Sequence, residues 1–365
     1  MRKWISAIIV SLLIIATTSQ GIMASESQGD QTVGKTLTFE QAADLALKNS
    51  TTIKSADYNI ESGELVRNAS ADNAKCIPSD GTNSTASRAY TSLVSADISW
   101  NMSKKTRTLE GDKLELSVYK EYINMIKAIE NLNYAQVTLK NTQWQWNVAQ
   151  INYQVGITSQ TQKNASDTEL KAAQNSLRLA EIALDTEYQT FNKLVGLNPT
   201  ERPVLAEKPN YSLLKIDDLQ SSVTRTLEQS PSVWKVDQSV IQAQLAIELY
   251  DWSSSSTSPY KTKQIALTQA ELSASETKEQ VAQAVRDLYN SICNQEETYN
   301  TQQEAIKLAE DTLRVKRVMF EIGMATKTDV QTAELALEKA KKDLNATIYQ
   351  HEYLKLTFAK PWAAS

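Results

Sequence analysis

Every seventh residue from Val118 to Tyr153 is apolar or aromatic: Val118, Met125, Leu132, Leu139, Trp146 and Tyr153. The same holds for Val285, Ile292, Tyr299, Ile306, Leu313 and Phe320. A helix turns every 3.6 residues, so an apolar period of seven keeps one seam turned toward a supercoiled partner. From about Thr268 to Phe320 such a helix runs roughly 80 Å at 1.5 Å per residue. Helices of that length belong to coiled coils and bundles rather than compact globules. Companion positions such as Ala128, Ala135, Ala149, Gln295 and Gln302 are small or polar, which lets helices approach closely.

The two series end three residues before Gly156 and Gly323. One offset of about 167 residues superposes both series and both glycines. It also carries Leu170, Ala173 and Leu177 onto Leu337, Ala340 and Leu344. The chain therefore reads as two copies of one unit. After each glycine the apolar period resumes, so each unit contains a helical hairpin with the glycine at its tip, where a left-handed residue ends a helix. Thr158 or Ser159, and Thr326 or Thr328, supply caps for the returning helices.

A shorter helix opens each unit. Thr38 and Gln41 form a capping box ahead of a helix from Ala42 to about Ala71. Its counterpart runs from about Ile216 to Tyr250, and Leu47-Lys-Asn-Ser-Thr-Thr-Ile53 has an echo in Leu227-Glu-Gln-Ser-Pro-Ser-Val233. The expected fold is all-α, with long antiparallel coiled-coil helices in two tandem repeats. Residues 25–195 and 216–365 form the repeats, and a Pro-containing connector, 196–215, joins them.

Composition agrees. Glycine (9) and proline (7) are scarce among 365 residues, as suits long helices. Arg2 and Lys3 precede an apolar run from Ile5 to Ala16 and then small residues, the pattern of an export signal over residues 1–24. The competing reading is an uncleaved anchor, but the run is shorter than the ~20 residues of a spanning helix. Removing Arg2 and Lys3 takes the formal charge from -5 to about -7, and a mildly acidic chain without a basic block gives no reason to expect nucleic acid. Cys76 falls in a Ser/Asn/Gly-rich loop and Cys293 some thirty residues down a helix, roughly 45 Å away. A disulfide needs Cα atoms within ~7 Å, so the two are read as separate thiols.

LTFEQAADLALKNS near the start, YQVG and FEIG at the tips, and the closing TDVQTAELALEKAKKDLNATIYQHEYLKL together resemble the TolC-type outer-membrane efflux proteins. The resemblance covers most of the chain after the signal. It implies a homotrimer in which three chains build a twelve-helix tapered tube, a passive exit duct. Its tips would meet a periplasmic-type adaptor, the membrane fusion protein joined to an inner-membrane pump. Matched by motif, Val155, Gly156, Ile157 and Thr158 form one tip, and Ile322, Gly323, Met324, Ala325 and Thr326 the other. Family members often carry acids six and nine places after the second tip glycine, ringing the narrow pore end. Asp329 matches the first; Thr332 replaces the second, and Gln162 stands at the matching place in repeat one.

One departure is large. The family inserts two membrane-spanning β-strands per repeat, each needing ~9–11 residues. Asp251 to Lys261 is loop chemistry, and Asp72 to Trp100 offers only a weak alternation at Tyr90 to Trp100. A TolC-like α-barrel protomer without a transmembrane β-barrel is expected. By family the location is the outer membrane or periplasm; without barrel strands the outer face of a single membrane also fits.

Nothing points to catalysis or a cofactor. His351, the single histidine, reads as a packed or partly exposed helix residue. No cysteine or histidine set has zinc spacing. Ser253 to Ser256 read as a linker, Trp144 and Trp146 as core, and Glu334, Glu338 and Asp343 interleaved with Lys339, Lys341 and Lys342 as a solvated helix face. An adaptor reading would need glycine-rich β domains that the sequence lacks. The competing function is an extracytoplasmic coiled-coil scaffold or spacer of the cell envelope.

Overall fold

The computed structural model describes residues 36–75, 84–216, 218–250 and 259–364. The export signal, Cys76 and most of the 251–261 stretch lie outside them. Eight α-helices occur among the described residues: α1 Phe39–Asn49, α2 Thr51–Lys75, α3 Ser84–Gln154, α4 Gln160–Val195, α5 Leu219–Gln229, α6 Pro231–Glu248, α7 Tyr260–Glu321 and α8 Lys327–Ala359. α3 holds 71 residues and α7 holds 62, so they run to about 105 and 90 Å.

The two shorter helices expected from Ala42 to about Ala71 and from about Ile216 to Tyr250 are each broken in two. Ser50 ends α1 in an extended conformation (φ -60°, ψ 124°), and its hydroxyl accepts the Ile53 N–H at 3.3 Å to start α2. Ser230 does the same between α5 and α6 (φ -65°, ψ 121°), with Pro231 at the first helical position. One serine thus stops one helix and caps the next, and proline needs no N–H there. The Thr38/Gln41 capping box is present, with its two bonds at 3.2 Å each.

A second difference lies at the N-terminal end of α3. Residues 84–100, which include the weak strand-like alternation read at Tyr90 to Trp100, are helical. Their Ser/Thr-rich sequence is a poor helix former alone, and packing on α2 decides the matter. Trp100 sits against Gly63, whose missing side chain leaves the room; a Cβ there would lie 3.3 Å from the indole. Lys104 Nζ lies 3.1 Å from the Trp100 ring centre, and Arg67 pairs with Asp97 at 3.3 Å.

β-Structure among the described residues is confined to β1 Thr36–Leu37 and β2 Val204–Leu205, a parallel pair with Thr36 opposite Val204. There is no closed barrel among them. No described helix is long and apolar enough to cross a membrane.

The main core sits at the waist, where Leu37, Ala42, Ala46, Val118, Tyr122, Met125, Phe191 and Val195 are buried together. Each large side chain there contributes about 1.5–3 kcal/mol by leaving water. The Tyr122 hydroxyl, 3.1 Å from both the N–H and the carbonyl of Glu207, pins the connector to this core. A second cluster joins Val223, Ala282, Val285, Ile292 and Phe358 across α5, α7 and α8.

α2 packs on α3, α3 on α6 and α6 on α7. Toward the hairpin tips α4 packs on α3, α3 on α8 and α8 on α7. The chain is therefore a layer with α2 and α4 at one edge and α7 at the other.

Candidate functional site: two hairpin tips and two open edges

Both tips are built alike. Gly156 and Gly323 take left-handed backbone, φ 77° and 75°. At the first, Ile157 N–H donates to Asn152 O at 2.8 Å and Gly156 N–H to Tyr153 O at 3.0 Å. At the second, Met324 N–H donates to Met319 O at 2.7 Å and Gly323 N–H to Phe320 O at 3.0 Å. These bonds satisfy the last carbonyls of α3 and α7. Nothing lies within 4 Å of a Cβ built on either glycine, so conformation alone calls for glycine there.

Ser159 and Thr326 are the caps; Thr158 and Thr328 are not. Ser159 exchanges bonds with Gln162, whose side-chain oxygen accepts the Ser159 N–H at 3.0 Å. Thr326 exchanges bonds with Asp329, whose carboxylate accepts the Thr326 N–H at 2.8 Å and hydroxyl at 2.7 Å. The Asp329 carboxyl is held below the usual carboxylate range chiefly by that backbone N–H. Asp329, picked out from the family pattern, thus has a local role, and Gln162 fills it with a neutral amide in the first hairpin.

The apolar side chains at the tips face solvent: Val155 is 63% exposed, Ile157 74%, Ile322 64% and Met324 73%. Gly156, Gly323 and Thr326 are exposed beside them; Thr158 and Ala325 are half-buried. Tyr153 and Phe320, the last members of the apolar series, are also partly open, because two helices alone do not enclose them.

Behind each tip a polar tie crosses the hairpin. Asp167 accepts from Trp146 Nε1 at 2.6 Å, Gln150 Nε2 at 3.0 Å and Lys163 Nζ at 2.9 Å. Lys163 first, then Trp146, holds its carboxyl below the ordinary value. Trp146 therefore spends its indole N–H on a carboxylate as well as packing. In the second hairpin Arg317 pairs with Glu334 at 2.8 Å, above an apolar cluster of Leu313, Ala333 and Leu337.

Between the hairpins α8 lays lysines on α3. Lys327 Nζ lies 4.0 Å from the Trp144 ring centre and Lys342 Nζ 4.7 Å from that of Tyr134. Lys342 also donates to Asn131 at 3.1 Å, and Lys360 binds Asp112 at 2.8 Å and Glu115 at 2.6 Å. Tyr349 O–H donates to Glu130 at 2.7 Å. The edge helices carry exposed apolar residues: Leu179 and Ile182 on α4, Tyr58 and Leu65 on α2, Leu272, Leu308, Val315 and Val318 on α7. Leu308, Val315 and Ile322 repeat the seven-residue spacing on the open side of α7.

No group of three or more His, Cys, Asp or Glu residues suited to a metal ion occurs among the described residues. Cys293 is a half-buried free thiol on α7; its relation to Cys76 lies outside the described residues. His351, read as packed or partly exposed, is fully buried.

A layer of very long helices with two hairpin tips at one end defines a TolC-like all-α fold. The sequence model of the family described as outer membrane efflux protein matches residues 218–352, which span α5 to most of α8. Among solved structures, a CusC structure described in terms of transmembrane channel formation aligns over 93% of this chain and 95% of its own, with TM-score 0.68 and 12% identity. The CmeC outer membrane channel of Campylobacter jejuni aligns over 88% and 85% (TM-score 0.62, 11% identity). The open-state MtrE outer membrane channel of Neisseria gonorrhoeae aligns over 88% of each chain (TM-score 0.65, 15% identity). No curated protein matches in sequence. The chain is thus similar to outer membrane efflux proteins in sequence over its second half and in fold over nearly its whole length, with the barrel strands missing among its described residues.

Proposed function

We propose that this chain is an exported, TolC-like component of an efflux or secretion assembly: a passive helical conduit that docks an adaptor of a membrane pump through its hairpin tips. The observation that carries this reading is the four-helix layer with an apolar stripe on each open edge. A layer whose two edges differ joins head to tail, and head-to-tail contacts that close give a ring. The family resemblance read from the sequence implies three chains in that ring. The tips then gather at one end, presenting Val155, Ile157, Ile322 and Met324, apolar groups that a free surface would not retain at a turn without a partner. Energy for transport comes from the pump. Asp329 lines the narrow end of the ring in this reading while keeping its capping bonds. The export signal over residues 1–24 delivers the chain to the cell envelope.

The test is photo-crosslinking in cells from position 324, with the captured protein identified by mass spectrometry. Capture of an adaptor-like protein tied to a membrane pump supports docking. The absence of barrel strands among the described residues favours a second reading, an envelope scaffold or spacer without channel activity. Capture of wall-associated proteins alone would select it.

A further inference from the structure

His351 is the chain's single histidine and is 0% exposed. Its two ring nitrogens face two different carboxylates. Nδ1 lies 3.2 Å from Glu352 Oε1 and Nε2 lies 3.2 Å from Glu296 Oε1. Both oxygens are already fixed by the connector: Glu296 Oε1 accepts the Leu214 N–H at 3.0 Å, and Glu352 Oε1 accepts the Ser212 N–H at 3.2 Å. Lys355 Nζ donates to Glu352 at 3.1 Å and to the Ser212 carbonyl at 2.8 Å. Tyr211 stacks on Tyr299 with 3.6 Å between ring centres and stands 5.0 Å from the imidazole. The titratable groups around His351 are therefore Glu296 and Tyr299 on α7, Glu352 and Lys355 on α8, and Tyr211 on the connector.

A neutral imidazole has one N–H and one lone pair. In either tautomer one carboxylate oxygen would face that lone pair at 3.2 Å, two acceptors opposed in a buried site. A ring carrying both N–H groups satisfies both carboxylates at once. We propose that His351 is a pH-dependent clasp: with both ring protons in place it ties α7 to α8 and holds connector residues Tyr211 to Leu214 against them, and loss of one ring proton to solvent releases that segment. The clasp is closed on the acid side of the imidazole titration and opens as pH rises through it. It depends on contacts within one chain and does not require the conduit reading.

The readouts are the amide hydrogens of Ser212 and Leu214, which donate to the two carboxylates. The full chain is followed by hydrogen exchange across pH 5 to 9, corrected for the intrinsic pH dependence of exchange. Protection at these two amides is expected to fall by ~10-fold or more as the ring loses its second proton, because two opposed acceptors in a buried site are unfavourable. His351→Gln, which does not titrate, should show protection independent of pH. Glu296→Gln, whose amide can rotate to suit either ring state, should flatten the response without removing the histidine. Because there is one histidine, the nitrogen NMR spectrum of histidine-labelled protein reads its protonation directly. Flat protection in the unsubstituted chain, or a neutral single-tautomer ring at pH 5, would overturn the clasp.

Discussion

Asp329 and Gln162 occupy the same place in two hairpins, each accepting a backbone N–H from the residue that caps the returning helix, Thr326 at 2.8 Å and Ser159 at 3.0 Å. One is an acid and the other a neutral amide, so the chain itself indicates that charge is not needed for this cap. Asp329→Gln is expected to keep the thermal midpoint at neutral pH, and Asp329→Ala to lower it. The folded carboxyl lies below its unfolded value, so its contribution is present above the ordinary carboxylate range and is lost as pH falls through the folded value. Melting curves by circular dichroism at neutral and acid pH test this: Asp329→Gln should lose that acid-dependent part.

The glycines rank by their surroundings. Gly156 and Gly323 have open space around them, so Gly→Ala there costs only the left-handed strain, about 1–2 kcal/mol. Gly196 has the same backbone (φ 83°), but a Cβ would sit 2.7 Å from that of Asn49, whose amide donates to Val195 O at 2.9 Å. Gly196→Ala therefore adds the loss of that bond and should be the most damaging of the three in chemical denaturation.

Core and edge apolar residues should separate cleanly. Ile292 is 0% exposed, and Ile292→Ala should cost about 2–5 kcal/mol of stability. Leu308 is 69% exposed and Val315 49%. Leu308→Glu with Val315→Glu should leave the helical content of the chain nearly unchanged while abolishing its self-association, measured by circular dichroism and light scattering on the same samples.

Lys360 fastens the end of α8 to α3. Burial pulls its ammonium down, yet hydrogen bonds to Asp112 and Glu115 outweigh that and leave it raised. Its contribution is therefore full below the ordinary lysine value and lost as pH rises through the folded one. Lys360→Met should lower the thermal midpoint at neutral pH and remove the part of the alkaline destabilisation that Lys360 carries.

Much of this was legible in the sequence. The apolar period, the tip glycines and the caps at Thr38, Ser159 and Thr326 are local signals, and local signals survive without knowledge of the fold. The breaks at Ser50 and Ser230 were less visible, although Pro231 after Ser230 marks a helix start. Helix at residues 84–100 was hidden because its Ser/Thr content argues against helix until Trp100 finds Gly63. The lysine contacts from α8 to α3 leave no trace in periodicity, since lysines on a helix face usually signal solvent. The packing of His351 was legible, but its partner Glu296 was not: that residue comes from far along the chain, and no spacing rule brings the two together.

The conduit account rests on two open edges closing into a ring. Native mass spectrometry of the purified chain in detergent-free solution tests this most directly. The account predicts a trimer that dissociates on Leu308→Glu with Val315→Glu. A chain that stays monomeric at micromolar concentration, or a dimer indifferent to those substitutions, would contradict it.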